Sequence, residues 1–311
     1  MDIPIFVSPA GVQALVSEHG EIATARACGR IGTIFGLSQH ATRSIEDVQA
    51  GARKTNLWFQ CYILKDRRLT LALVKRAIKA GYKGIFLTVD SVRFGFREAD
   101  VRNNFSALPP PHRLVNYDFH EAKSLEHTYN GKKHSSWDQN TELMFETNLT
   151  WNDVSWLKKE GCENVPLVVK GIMTGEDAMA ALDAGADGIM VSNHGGRQLD
   201  GALSAIDALP EIVEAVKSRG APILLDGGIR RGSDVLKALS LGATAVGVGK
   251  PVFFSLALDG EEGVVRMFRI LIKELKAAMA LCGCENIASI GPQLVTNHPF
   301  GGPSRYVRSS L

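Results

Sequence analysis

The sequence predicts an α/β chain, a closed barrel of eight parallel strands joined by helices, on three observations. Short apolar runs alternate with longer stretches of helical periodicity, in the order of successive βα units. The strand candidates number eight, the count that closes such a barrel. Pairs ending in glycine close several of the helical stretches: Ala80-Gly81, Ala184-Gly185 and Leu241-Gly242. Each glycine sits at the C-cap position just ahead of the next strand.

In chain order, the strand candidates are residues 3–8, 33–37, 57–63, 84–89, 166–170, 188–191, 222–226 and 243–248. Amphipathic stretches at 69–80, 175–184, 206–218 and 233–241 supply helices between them, and 262–281 makes a long final helix. One connection breaks the rhythm. From 91 to about 152 no strand candidate occurs, and the segment carries Pro109-Pro110-Pro111, Tyr129-Asn130-Gly131 and the basic Lys132-Lys133-His134. An excursion of that length reads as a functional lid or mobile loop. Residues 1–311 are therefore read as one (β/α)8 TIM barrel domain with a long loop after strand four.

Length and composition bound the function classes. A chain of 311 residues can bury a sizeable core, and 45% hydrophobic with 22% charged residues is ordinary for a soluble globular protein. A formal net charge of +2 gives no reason to expect nucleic acid or an anionic membrane as a partner. No apolar run approaches the roughly 18 residues of a transmembrane helix, and the first residues lack the pattern of a signal peptide. Cys28, Cys61, Cys162, Cys282 and Cys284 are scattered through mostly apolar segments, as buried thiols of a reducing compartment would be. Cys282-Gly283-Cys284 has no second cluster at zinc spacing, so no metal is expected.

In βα barrels the functional groups sit at the C-terminal ends of the strands. Those ends read Ser8-Pro9-Ala10-Gly11, Ser38, Gln60 and Tyr62, Thr88 and Asp90, Lys170, Ser192 and His194, Asp226-Gly227-Gly228-Ile229-Arg230, and Gly249-Lys250. A barrel with no site would not need a polar group at nearly every strand end. The sixth end is the richest, Ser192-Asn193-His194-Gly195-Gly196-Arg197-Gln198-Leu199-Asp200. It sets a base that can take a proton beside a cation that can grip a carboxylate. The last two ends look like a phosphate site, with glycine amides for close approach and Arg230 and Lys250 for charge.

These motifs, with Phe59-Gln60-Cys61-Tyr62, Thr88-Val89-Asp90 and Val169-Lys170-Gly171, make a chain that resembles the FMN-dependent 2-hydroxy acid oxidases and dehydrogenases, the glycolate oxidase-like family. The resemblance runs over nearly the whole chain. It implies that FMN is the cofactor, with Pro9, Ala10, Gly11, Ser38, Gln60 and Thr88 at the isoalloxazine ring, Lys170 beside flavin N1 and O2, and Ser192 as a further contact. It implies that Asp226, Gly227, Gly228, Ile229, Arg230, Gly249 and Lys250 hold the ribityl chain and phosphate. For a small 2-hydroxy acid such as glycolate or lactate, it implies Tyr62, Arg97 and Arg197 as binding residues and His194 as catalytic base. Asp90 is then the partner of the imidazolium, and an opposite charge there raises the histidine pKa.

The expected activity is oxidation of an (S)-2-hydroxy acid to the 2-oxo acid, with O2 reduced to H2O2. The alternatives are a dehydrogenase with another acceptor, or a truncated, weakly active or non-catalytic FMN-binding paralogue. A barrel of the inosinate dehydrogenase kind would want a catalytic cysteine. Only Cys61 lies near a strand end, and it should point away from Gln60 and Tyr62. Three departures from the family pattern stand out. The segment that precedes the first strand in the family, with its substrate-binding tyrosine, is absent; Lys250 replaces an arginine; and His40 stands where glycolate-type members carry tryptophan. The first of these predicts good FMN binding with slow turnover. A homo-oligomer is expected. So is a peroxisomal location ahead of a cytoplasmic one, because the last three residues share two positions with the Ser-Lys-Leu address.

Overall fold

The computed structural model describes residues 3–117, 144–297 and 305–307. Its strands close on one another in chain order: β1 (Ile5–Val7), β2 (Ile34–Ser38), β3 (Asn56–Cys61), β4 (Ile85–Thr88), β5 (Leu167–Ile172), β6 (Gly188–Val191), β7 (Ile223–Asp226) and β8 (Ala245–Val248). All pair in parallel, and β8 returns to β1 through Ile5 opposite Val246 and Val7 opposite Val248. Every expected strand is present. β5 runs past its expected end because the register shifts between Lys170 and Ile172, where Gly171 takes φ 107°.

Alternation along each strand separates two cores. Outward residues such as Phe35, Leu37, Phe59, Val169, Ile189 and Leu225 join the helices in one large cluster. Inside the barrel, Phe6, Phe86, Val168, Met190 and Ala245 pack with Ile34, Trp58 and Leu224. Phe86 is the centre of this plug, 6.1 Å from Phe6 and 5.0 Å from Trp58 between ring centroids. Two residues after members of the plug, the inward face turns polar, at Ser8, Gln60, Thr88, Lys170, Ser192 and Asp226. On β8 that position is Gly247, where a Cβ would stand 2.1 Å from Ser8 Oγ and 3.0 Å from the Phe6 ring. The barrel is thus sealed with hydrocarbon below and lined with polar groups above.

The helices are α1 (Gly20–Ile31), α2 (Ile45–Gly51), α3 (Arg67–Lys79), α4 (Glu98–Arg102), α5 (Trp151–Gly161), α6 (Gly175–Asp183), α7 (Ala205–Val216), α8 (Gly232–Ser240) and α9 (Lys250–Leu281). The sequence pattern anticipated α3 and α6 to α8. It did not reveal α1, which packs through small residues such as Ala23, Ala27 and Cys28 and carries no stripe of large side chains. It also missed the short α2, started by Ser44 Oγ accepting from the Asp47 amide at 3.0 Å.

Two further differences concern α9 and the long connection. The final helix begins at Lys250 rather than 262, because helical chain continues from β8 and breaks at Asp259 and Gly260 (φ 52°, ψ −135°). The described parts of the connection after β4 hold α4, a 3-10 turn at Val115–Tyr117 and an isolated bridge from Leu64 to Phe145. Chain beyond Thr150 belongs to α5, whose start is fixed by Asp153 accepting from the Thr150 amide at 2.8 Å. The motifs at 129–131 and 132–134 and the tail at 308–311 lie outside the described residues.

All five cysteines are free and buried. Burial pushes the thiols of Cys28, Cys61 and Cys282 up and that of Cys162 up to about 12. Cys61 belongs to the outer core and not to the barrel mouth, as alternation requires. Among the described residues, no helix is long and apolar enough to cross a membrane.

The inner plug sets a stability expectation. Phe86→Ala removes the ring between Phe6 and Trp58 and should cost about 3–5 kcal/mol. The midpoint of urea unfolding should fall accordingly, with the slope unchanged.

Candidate active site

At the C-terminal ends of the strands the barrel opens into a cavity of about 420 Å³, within the range of small-molecule sites. Its walls include the expected Pro9, Ala10, Gly11, Ser38, Gln60, Tyr62, Thr88, Arg97, Lys170, His194 and Arg197. Asp226, Gly227, Gly228, Ile229, Arg230, Gly249 and Lys250 gather at the mouths of β7 and β8. Asp90 and Ser192 stand directly behind this wall, each bonded to a residue in it.

The turn after β6 takes its shape from a run of left-handed residues, His194 (φ 58°), Gly195 (68°) and Gly196 (73°). Ser192 Oγ accepts from the His194 amide at 3.1 Å, and Asn193 Oδ1 accepts from the Gly196 amide at 3.1 Å. Gln198 fastens this turn to the connection after β4. Its amide nitrogen donates to the carbonyls of Asp90 (2.7 Å) and Arg93 (2.8 Å), while its oxygen accepts from the Gly95 amide at 3.2 Å. The two connections therefore meet, and His194 Nδ1 reaches Asp90 Oδ1 at 2.8 Å. Ser91 Oγ donates to the same oxygen at 2.9 Å. Lys170 Nζ lies 3.8 Å from Asp90 Oδ2 and donates to Ser192 Oγ at 3.2 Å. Gly171 makes this packing feasible, since a Cβ there would stand 2.7 Å from that of Asp90.

Electrostatics follow from this cluster. Burial pushes the Asp90 carboxyl up, but the Lys170 ammonium, His194 and Ser91 outweigh it and bring it to about 2. For His194 the balance runs the other way. Burial, aided by Lys170, lowers its pKa, and the hydrogen bond and charge of Asp90 only partly restore it. Asp90 raises the histidine as its charge requires, yet the net position is below the usual value. The His40 ring is also lowered, to about 3, by desolvation and by the charges of His194 and Arg97.

One wall is aromatic. Tyr62 stacks on Phe145 at 4.6 Å, His40 on Phe145 at 5.6 Å, and the Arg97 guanidinium lies 4.6 Å over the Phe94 ring. Gln39 steadies this wall, its oxygen accepting from the Tyr62 amide at 2.8 Å and its nitrogen donating to the Tyr117 hydroxyl at 2.9 Å. Gln39, Ser91, Phe94, Asp100 and Phe105 carried no recognisable sequence signal. Gln198 stood within the motif, but nothing there showed that it would bridge two connections.

The cavity suits a ring bearing heteroatoms with an anionic tail. Ser8 Oγ, Thr88 Oγ1 and Asp226 Oδ1 are buried without a hydrogen-bond partner in the protein, an arrangement costing about 1–3 kcal/mol each until a ligand meets them. At the other end, Gly227 (φ 93°) and Gly228 (φ 79°) form a tight turn beside Arg230 and Lys250. The amides of such turns and a helix start attract phosphate.

The FMN-dependent dehydrogenase family model matches residues 1–297. The chain belongs to that family. FMN-dependent dehydrogenases are thus its relatives, and FMN is the group its cavity is built to hold. It is 45% identical to 2-hydroxyacid oxidase 1 of Mus musculus over 96% of this chain and 80% of that one. It is also 45% identical to L-lactate oxidase of Nostoc sp., over 93% of this chain and 78% of that one. Among solved structures, mandelate oxidase with (S)-4-hydroxymandelic acid superposes with a TM-score of 0.84 at 41% identity, covering 93% of this chain and 78% of that one.

The electrostatics can be checked directly. In flavin-free protein, the imidazole signals of His194 should titrate below the ordinary value of about 6.5. Asp90→Asn removes the interaction that raises it, so the midpoint should move lower still. A midpoint that rises in Asp90→Asn contradicts this account.

Proposed function

We propose that this protein oxidises a 2-hydroxy acid to the 2-oxo acid and delivers the two electrons to O2, forming H2O2. One observation carries the reading. His194, held on Nδ1 by Asp90, shares a cavity with Arg97, Arg197 and Tyr62, while Arg230 and Lys250 gather at the mouths of β7 and β8. The names of the relatives, 2-hydroxyacid, L-lactate and mandelate oxidases, support the same chemistry.

FMN, when bound, supplies the two-electron acceptor. The chain does the rest. With Nδ1 committed to Asp90, Nε2 is the nitrogen that accepts the substrate proton. Its lowered pKa keeps the ring neutral and ready at neutral pH, and the carboxylate of Asp90 stabilises the imidazolium once the proton arrives. Arg97 and Arg197 grip the substrate carboxylate with charge-assisted bonds and orient the α-carbon. Burial raises the Tyr62 hydroxyl, so it stays protonated and donates to substrate. Pro9, Ala10, Gly11, Ser38, Gln60 and Thr88 line the cavity where they would hold the flavin ring, Asp226 through Arg230 with Gly249 and Lys250 would hold the ribityl phosphate, and Ser192 orients Lys170. The Lys170 ammonium, nearly fully buried, would stabilise negative charge on a bound flavin ring. A peroxisomal location belongs to the same proposal, on the ground that the product is peroxide.

His194→Gln should slow anaerobic flavin reduction by about 10²-fold or more while leaving FMN bound. An unchanged reduction rate in stopped flow would sink the assignment of the base. Arg197→Lys should raise KM more than it lowers kcat, because a planar clamp is replaced by a point charge.

A further inference from the structure

Lys250 serves the catalytic turn as well as the anion end of the cavity, an inference that rests on the FMN reading above. β8 delivers Lys250 to the first turn of α9, directly after Gly249. From there its Nζ donates to the main-chain carbonyl of Gly195 at 2.9 Å. Gly195 follows His194 in the left-handed run, and a non-glycine residue such as His194 takes that backbone only when its surroundings hold it. Asp90, Ser192 and Asn193 hold the turn from the strand side. Lys250 holds it from the side of the cavity.

We propose that Lys250 is a positioning residue whose ammonium joins the His194 turn to the cofactor phosphate. An ammonium has three donors, so one spent on Gly195 leaves two for phosphate oxygens. Those donors point apart, whereas the fork of an arginine keeps its donors in one plane and aims them at one anion. The lysine at this position, where the family pattern has arginine, can therefore serve two partners. Filling the phosphate site fixes the ammonium, which fixes the Gly195 carbonyl and with it the placement of the imidazole. Binding of cofactor and alignment of the base become one event.

The test compares Lys250→Met with the unaltered protein, and Lys250→Gln (uncharged and too short to reach) serves if the first variant does not fold. In flavin-free protein, amide exchange over residues 193–203 should quicken about tenfold, the scale of one lost charge-assisted hydrogen bond. With FMN saturating, the limiting rate of flavin reduction should fall about tenfold at little-changed substrate KM, on the same basis. Weaker FMN binding with unaltered exchange and an unaltered limiting rate would make Lys250 a phosphate contact alone and overturn the proposal. If the unaltered protein itself does not bind FMN, the cofactor reading falls instead.

Discussion

A parallel barrel has a single interior, and alternation along its strands decides what fills it. Each strand sends every second residue inward, so an inward apolar side chain and the inward residue two positions later share one face at different heights. Here the lower height holds Phe6, Trp58, Phe86, Val168, Met190 and Leu224. The upper holds Ser8, Gln60, Thr88, Lys170, Ser192 and Asp226. The site rests on this step from hydrocarbon to polar groups. The plug gives the polar floor a close-packed apolar base of low dielectric, which strengthens the field of a buried ammonium such as Lys170. A slip of one residue in any strand would reverse both heights at once.

On that floor stand connections that share their charges. Asp90 comes from the end of β4, Lys170 from β5 and His194 from beyond β6, and none of the three is placed by its own strand alone. Gln198 brings two connections together through the main chain. The bulge at Gly171 clears the space that Asp90 occupies. The low pKa of His194 is thus a product of shared burial, with Asp90 moderating a displacement that burial dominates.

Much of this was legible in the sequence, and the exceptions have physical reasons. Strands and the helices with large apolar stripes announce themselves by period. α1 does not, because Ala23, Ala27 and Cys28 pack closely against its neighbours without a stripe of large residues. The break at Asp259 and Gly260 hid the first part of α9, since Gly260 takes a backbone that a helix does not use. Polar residues at strand ends were readable because the barrel fixes where strand ends go. Gln39 was not, for its value lies in the distant partners Tyr62 and Tyr117. The sign of the net shift at His194 was also out of reach, because charge at Asp90 can be read from residue types and depth of burial cannot.

The five buried thiols have a consequence for an oxidase that makes peroxide. Peroxide attacks thiolate and hardly touches thiol. Cys28, Cys61, Cys162 and Cys282 are held protonated by the hydrocarbon around them, and all five sulfurs sit away from solvent. Sulfenic acid, the first rung of cysteine damage, is thereby suppressed by packing alone. The fold that concentrates an oxidising reaction at one end of the barrel carries its oxidisable sulfur in the protonated, solvent-shielded form.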